Sequence, residues 1–345
     1  MKNENEKKGA AKAWLFQAPP GLAQVLKKEM VFVGAIDRKQ DVLVKRQRNH
    51  DLIFVNRLKN DAGLNRLKIA EAVYRCPVFG RYKISKRQLD VLSEELQPLG
   101  PRRLIVQVAG RKFERHDLSR WLKKEISGRG YEFSEAEDDD EVWMFCIDES
   151  FYFGIPIVKS VQAEGREARV AERVASLPPP IAAAMAFAGM PKDEDVILDP
   201  VCGSGTLLAE ARGYAPNARL IGIDVDETAI RAAKANLGEN AKLKLMHADS
   251  RVADLEENVT LLLANFPFGL RYGDRKTNAE LYRGILENVL RKADLEKFRA
   301  VMLSSDTESL RQALESFSSL ETKEIFRVKI RGELATAVLA KPRSR

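Results

Sequence analysis

Apolar and polar positions follow two textures along the chain. In the first, residues 13–17 (AWLFQ) predict a short strand that Pro19-Pro20-Gly21 ends, after which Leu22, Val25, Leu26 and Met30 recur at helical spacing. Residues 41–47 (DVLVKRQ) and 51–56 (DLIFVN) predict paired strands. A second helix is predicted over residues 64–75, with Leu67, Ala70, Ala72 and Val73 inward, and residues 83–96 continue helically. Strand, helix, strands, helix is the order of a small α+β sandwich. Residues 102–108 (RRLIVQV) then predict a strand, and residues 109–115 a loop. Asp117 is placed to cap a helix whose apolar side is Leu118, Trp121, Leu122 and Ile126 and whose other side shows Arg120, Lys123 and Lys124. An acidic run over 135–141 predicts a solvated turn before strands at 142–147 and 151–157. Trp14, Trp121 and Trp143 all fall in apolar patterns and are expected in the core.

The texture changes after a charged, weakly patterned stretch. From Leu177-Pro178-Pro179-Pro180 onward, strands and helices take turns. A helix is predicted over 181–190, then strands at 196–199, 219–224, 244–247, 261–265, 300–304, 324–330 and 335–340, with helices at 206–211, 227–237, 279–290 and 309–317. Five strands joined through helices make a doubly wound parallel sheet. The last two strands are separated by Gly332 and little else, so a hairpin should leave one strand antiparallel. The fold class is therefore α/β in the second half, preceded by α+β units. The expected boundaries are a tail at 1–11, units at 12–96 and 97–158, a linker at 159–176 and the α/β domain at 177–345.

A length of 345 residues favours two or three domains, and 45% hydrophobic with 31% charged residues excludes fibrous and disordered classes. Cys76, Cys146 and Cys202 are too scattered for a disulfide framework or zinc cluster, and His50, His116 and His247 lack metal-ligand spacing, so a reduced compartment and no metal are expected. The longest apolar runs, such as 181–190, reach half of the roughly 20 residues that a bilayer span needs. The first dozen residues are polar, without the apolar segment of a secretion signal. A cytoplasmic, soluble protein, monomeric or weakly dimeric, is expected. Charge is unevenly divided: residues 1–130 hold 29 Lys+Arg against 14 Asp+Glu, whereas residues 131–345 hold 28 against 36. A basic front half suits a polyanion, with an ordinary solvated surface as the alternative.

Candidate chemistry sits at the strand ends of the second half. Asp199-Pro200-Val201-Cys202-Gly203-Ser204-Gly205-Thr206 occupies the first strand-to-helix turn, and ligands of open α/β sheets bind outside such carboxyl ends. Gly203 and Gly205 permit close backbone approach. Leu208 stands where a dinucleotide fingerprint needs a third small residue, and no Gly-Lys-Ser/Thr follows, so neither a nicotinamide site nor a P-loop is predicted. Cys202 has no neighbour to lower its pKa and is not expected to react covalently. The second strand ends in Asp224-Val225-Asp226, about twenty residues after the glycines, where a carboxylate can accept from a ribose diol. The third ends in His247-Ala248-Asp249-Ser250, placing Asp249 near the same crevice, in reach of an adenine amino group.

The fourth strand ends in Asn265-Phe266-Pro267-Phe268-Gly269. An exocyclic amine of a base is a poor nucleophile because its lone pair is delocalised into the ring. Two acceptors, the Asn265 side-chain carbonyl and a neighbouring backbone carbonyl, can take its two hydrogens and aim that lone pair at an electrophilic methyl. Phe268 offers a face on which a flipped base can stack.

The DPxCGSGT turn, the acidic second strand end and the Asn-x-Pro-aromatic-Gly motif resemble class I S-adenosylmethionine-dependent methyltransferases acting on amino groups. With the Pro-Gly-Leu helix, the basic second unit and Ala175-Ser176-Leu177-Pro178-Pro179, the chain is similar to THUMP-domain RNA methyltransferases. These join an N-terminal ferredoxin-like domain (here 12–96) and an RNA-binding THUMP domain (97–158) to a Rossmann-like catalytic domain with a mostly parallel seven-stranded sheet. Asn265 through Arg271, followed by Leu281-Tyr282, is most similar to enzymes that make N2-methylguanosine at position six of tRNA, whereas relatives acting on position ten more often open the motif with Asp. Phe266 departs from the usual proline or leucine.

The resemblance implies S-adenosylmethionine as cofactor, with Asp199, Cys202, Gly203, Ser204, Gly205 and Thr206 lining its methionine end. It further implies Asp224 and Val225 at the ribose, Asp249 and Ser250 at the adenine, and Asn265, Pro267 and Phe268 at the target guanine. With tRNA as partner, Lys83, Arg87, Arg102, Arg111, Lys112, Arg115, Lys124 and Arg271 are the candidate RNA contacts. Guanine at position ten, ribosomal RNA guanine, adenine N6 in nucleic acid, and an RNA-binding scaffold with an inactive domain stay open as alternatives.

Overall fold

The computed structural model describes residues 13–47, 49–81, 83–109, 115–158, 177–255, 258–267 and 276–343. Two compact units emerge: Met1–Ala18 with Met30–Glu164, and Pro19–Glu29 with Gly165–Arg345. The tail at 1–11 and the linker at 159–176 fall outside the described residues.

In the first unit, β1 (Ala13–Ala18), β2 (Leu43–Arg46), β3 (Asp51–Val55), β4 (Ala72–Arg81), β5 (Arg103–Ala109), β6 (Glu141–Ile147) and β7 (Ser150–Val158) share one seven-stranded sheet in the order β2-β3-β1-β4-β7-β6-β5. β5 and β6 run parallel, and the other neighbours are antiparallel. The strands expected at 12–96 and at 97–158 are thus joined through the β4–β7 ladder into one mixed sheet. Two helices, α2 (Lys86–Leu96) and α3 (Arg115–Ser127), lay Leu89, Leu92, Leu96, Leu122 and Ile126 against Val78, Leu104, Val142 and Phe153 on one face. The opposite face carries aromatics, with Phe54, Tyr74 and Phe145 buried and Phe79, Trp143 and Tyr152 partly buried.

Three local expectations are corrected. The helix over residues 64–75 is not formed: Leu64–Arg66 makes one 3-10 turn and β4 begins at Ala72. Val73, Tyr74 and Val78 are β-branched or aromatic and favour a pleated, half-buried surface, and Pro77 sits where the β4–β7 register shifts between Arg75 and Val78. Asp117 lies inside the first turn of α3 instead of capping it, where its charge still complements the helix dipole. Trp121 is 37% exposed, because α3 turns Leu122 and Ile126 to the sheet and leaves Trp121 on its flank.

In the chain between, α1 (Ala23–Phe32) follows the Pro-Pro-Gly turn, and Leu22 and Leu26 are fully buried. Gly21 has φ +95°, and a Cβ there would lie 1.9 Å from the Arg327 carbonyl oxygen, so no other residue fits.

The second unit opens with α4 (Pro179–Ala188) and continues as β8 (Val196–Asp199), α5 (Thr206–Tyr214), β9 (Arg219–Asp224), α6 (Glu227–Leu237), β10 (Leu243–His247), β11 (Leu261–Asn265), α7 (Asn278–Arg291), β12 (Arg299–Ser304), α8 (Thr307–Glu315), β13 (Leu320–Ile330) and β14 (Glu333–Pro342). Its seven-stranded sheet has the order β10-β9-β8-β11-β12-β14-β13. Five strands are parallel, and β14 runs antiparallel to both β12 and β13. The β13–β14 turn places Arg331 and Gly332 at positive φ, the geometry that matches hairpin twist. Leu261 through Ala264 are all buried, as a central parallel strand covered on both faces requires. The connection order reverses between β8 and β11, and such a switch point leaves a crevice at the carboxyl ends of the strands. No helix among the described residues is long and apolar enough to cross a membrane.

Candidate active site

The turn after β8 is shaped by its glycines. Gly203 and Gly205 have φ +54° and +80°. A Cβ on Gly205 would lie 2.8 Å from Leu237 Cδ1, so glycine lets the start of α5 close on α6. A Cβ on Gly203 would meet nothing within 4 Å, so this side of the turn faces open space. Cys202 N donates to the Ile223 carbonyl at 2.9 Å, tying the turn to β9, and Asn236 Nδ2 donates to the Ser204 carbonyl at 3.0 Å. Thr206 Oγ1 is buried without a hydrogen-bond partner among the described residues.

Asp199 and Asp224 bring acidity to this turn. Asp199 is only 2% exposed and accepts from Val201 N at 3.1 Å. Burial pushes its carboxyl up, the Val201 amide opposes that, and the Asp224 charge adds to it, leaving Asp199 at about 8. Asp224 accepts from Gly203 N at 2.8 Å and Asp226 N at 2.9 Å, one bond to each oxygen. A carboxylate offers about four acceptor sites, so two remain for a diol. Val225, next in sequence, is 68% exposed and presents an apolar surface beside them.

At the end of β10 the geometry differs from expectation. Asp249 Oδ1 and Oδ2 both accept from Arg251 Nε at 3.0 Å, Oδ2 also accepts from a second guanidinium nitrogen at 2.6 Å, and Oδ1 from Arg251 N at 2.9 Å. The hydrogen bonds from the Arg251 side chain, foremost, hold the Asp249 carboxyl below its usual range. Arg251 was not among the predicted site residues, and it takes the acceptor capacity assigned to an adenine amino group. Ser250 is buried; its hydroxyl donates to the Pro200 carbonyl, linking the β10 end to the turn after β8, and its own carbonyl accepts from Asn288 Nδ2 at 3.0 Å. His247 Nε2 lies 2.9 Å from the Val225 carbonyl oxygen at the end of β10.

Asn265 ends β11 between β8 and β12. Its Oδ1 is buried and makes no hydrogen bond among the described residues, a costly state for an acceptor that nothing engages. Phe266 is fully buried, its N donates to the Leu303 carbonyl at 3.0 Å, and its ring stacks on Tyr282 at 4.4 Å. The segment is therefore fixed by packing where a proline would fix it by its ring. Pro267 is half-buried, and its carbonyl accepts from the Tyr282 hydroxyl. Phe268 and Arg271 fall outside the described residues, and no group of three potential metal ligands occurs among those described.

The basic candidates belong to the first unit. Lys83, Arg87, Arg115 and Lys124 are exposed. Arg102 is half-buried and ion-paired with Asp140, so its charge is already committed. Arg111 and Lys112 lie outside the described residues.

A parallel sheet with one antiparallel strand, a glycine turn after its first strand, acidic ends on the next strands and an asparagine on the fourth whose Oδ1 has no partner among the described residues define a class I methyltransferase domain. Residues 166–336 match the family UPF0020 (RMKL-like, methyltransferase domain), and this half of the chain belongs to that family of S-adenosylmethionine-dependent methyltransferases. Among curated proteins, the chain is 31% identical over 157 residues to the U6 snRNA (guanine-N(2))-methyltransferase THUMPD2 of Bos taurus, covering 44% of this chain and 30% of the relative. It is 28% identical over 148 residues to the tRNA (guanine(6)-N(2))-methyltransferase THUMP3 of Bos taurus, covering 39% and 29%. The matched stretches thus span less than a third of these relatives' length. Among solved structures, TrmN from Thermus thermophilus has the same fold, with a TM-score of 0.77 and 18% identity, over 96% of this chain and all of that one.

Proposed function

We propose that the chain transfers a methyl group from S-adenosylmethionine to guanine N2 of an RNA, and that the RNA is tRNA with N2-methylguanosine at position six as product. Asn265 carries the reading: a buried amide oxygen without a partner among the described residues, at the strand end beside the glycine turn, suits a base amine. The donor set also suits the cofactor. A ligand ammonium would stabilise the carboxylate of the buried Asp199 and displace the proton it holds, Thr206 Oγ1 offers a polar atom unused among the described residues, Asp224 keeps acceptor sites for a ribose diol, and Val225 lies exposed for an apolar ring edge. When bound, S-adenosylmethionine supplies a methyl on a positively charged sulfur.

The chain's own residues then position the acceptor. The Asn265 Oδ1 takes one hydrogen of the amine and the backbone carbonyl beyond it takes the other, which turns the nitrogen lone pair out of conjugation. Phe268 provides the stacking face for the base. No strong base is needed, because the amine proton becomes acidic once the nitrogen is alkylated. Orientation of this kind is worth up to roughly 7–11 kcal/mol. The basic surface of the first unit, with Lys83, Arg87, Arg115 and Lys124, holds the polyanion.

The relatives' names divide between tRNA and U6 snRNA. Incubation with methyl-labelled S-adenosylmethionine and, separately, tRNA, U6 snRNA, ribosomal RNA and DNA, followed by nucleoside mass spectrometry, tests the proposal. Labelled N2-methylguanosine in tRNA is expected. Label in U6 snRNA alone would move the substrate, and labelled N6-methyladenosine would overturn the guanine reading.

A further inference from the structure

Building on the reaction just proposed, we propose that Tyr282 is a positioning residue for the transfer, setting the direction of the backbone carbonyls that follow Asn265. Residue 266 is not a proline, so its own covalent structure leaves φ unrestrained, and the carbonyl that shares the amine with Asn265 must be aimed from outside. Tyr282, in the second turn of α7, does this with two features. Its ring stacks on Phe266, with centroids 4.4 Å apart and planes at 17°. Its hydroxyl donates to the Pro267 carbonyl and stands 3.2 Å from Ser304 Oγ at the end of β12.

Ser304 Oγ in turn accepts from Asp306 N at 3.0 Å, and one turn earlier on α7, Asn278 Nδ2 donates to Asp306 Oδ2 at 2.9 Å. Tyr282 and Ser304 are both fully buried. A phenol in such a place must have its hydroxyl satisfied, and a phenylalanine would serve the core alone more cheaply. Here the hydroxyl is spent on the segment that presents Asn265. The strand side of the same segment is fixed by Phe266 N donating to the Leu303 carbonyl. Asn265 through Pro267 is thus held from β12 on one side and from α7 on the other.

The test is a kinetic cycle on the full chain with wild type, Tyr282→Phe, Asn265→Ala and the double variant. Displacement of reacting groups by about 1 Å costs about a hundredfold, so Tyr282→Phe is expected to lower kcat by about tenfold to a hundredfold. Its S-adenosylmethionine affinity and KM for RNA are expected to stay within about twofold of wild type, since the buried Tyr282 reaches the base only through the Pro267 carbonyl. The double variant is expected to be no slower than Asn265→Ala alone, because Tyr282 acts through that segment. A general structural loss would instead lower kcat independently of Asn265 and multiply the two effects. Ser304→Ala, run through the same cycle, covers the case in which Tyr282→Phe does not fold, and a several-fold, non-multiplying fall in kcat is expected there. Unchanged kcat in folded Tyr282→Phe, or in Ser304→Ala if the former does not fold, overturns the role of Tyr282, as does a multiplying double variant. A wild-type chain that methylates no RNA guanine would instead sink the functional reading, and this inference with it.

Discussion

Asp199→Asn should move cofactor binding and stability in opposite directions. Asp199 is buried and holds its proton up to about 8, because burial and the Asp224 charge outweigh the bond from Val201. A ligand ammonium that pairs with it needs the carboxylate, so binding at pH 7 must expel the proton. One pKa unit is about 1.4 kcal/mol, so affinity should rise about ninefold from pH 6 to 7 and about fivefold from 7 to 8. Calorimetry with S-adenosylhomocysteine in buffers of different ionisation enthalpy should report close to one proton released per ligand at pH 7. For folding, the sign is opposite. The folded carboxyl is raised above its unfolded value near 4, so its stabilising contribution is complete below that value and is lost as pH rises through about 8. Asp199→Asn should therefore bind ligand at least tenfold more weakly at pH 8, with a flattened pH dependence, while the ligand-free chain melts at a higher temperature than wild type at that pH. Affinity that is level from pH 6 to 8 with no proton release would refute the pairing of Asp199 with the ligand amine.

Asn265→Ala should leave cofactor affinity nearly intact and cut turnover about a hundredfold or more, as loss of one positioned polar group does; methylation at the normal rate in a single-turnover assay would contradict this. Asp224→Ala should weaken cofactor binding first, since it removes both the diol acceptor and the anchor of Gly203 N, and unchanged affinity by calorimetry would remove that assignment. Converting Lys83, Arg87, Arg115 and Lys124 together to Ala should lower the slope of log affinity against log salt for RNA by roughly 0.7 to 0.9 for each phosphate that is no longer neutralised. An unchanged slope would free these residues from any RNA role.

The second half was legible because its pattern is local. A buried parallel strand such as 261–265 is a continuous apolar run, and its first polar residue, Asn265, is also the one proposed to act on the base. The glycine turn after β8 and the β13–β14 hairpin both use positive φ, at Gly203, Gly205 and Gly332, where glycine is favoured. In the first half, residues 64–75 spaced their apolar side chains ambiguously, and the long-range ladders to β1 and β7 decided for a strand. Arg251 escaped notice because a basic residue two positions after Asp249 reads as surface charge until the two are seen to interlock. Tyr282 was visible in the sequence as part of the Leu281-Tyr282 pair that follows the Asn265 motif, without a role of its own. Its ring on Phe266 and its hydroxyl, reaching 15 residues back to the Pro267 carbonyl, tie it to the segment that carries Asn265.

The crevice at the carboxyl ends of β8, β9 and β11 is the claim on which the rest stands, and a crystal structure with S-adenosylhomocysteine tests it most directly. The ligand amine is expected against Asp199, the ribose diol on Asp224 and the sulfur turned toward Asn265. Density for the ligand anywhere else, or Asn265 Oδ1 engaged by packed side chains with the crevice closed, would contradict it.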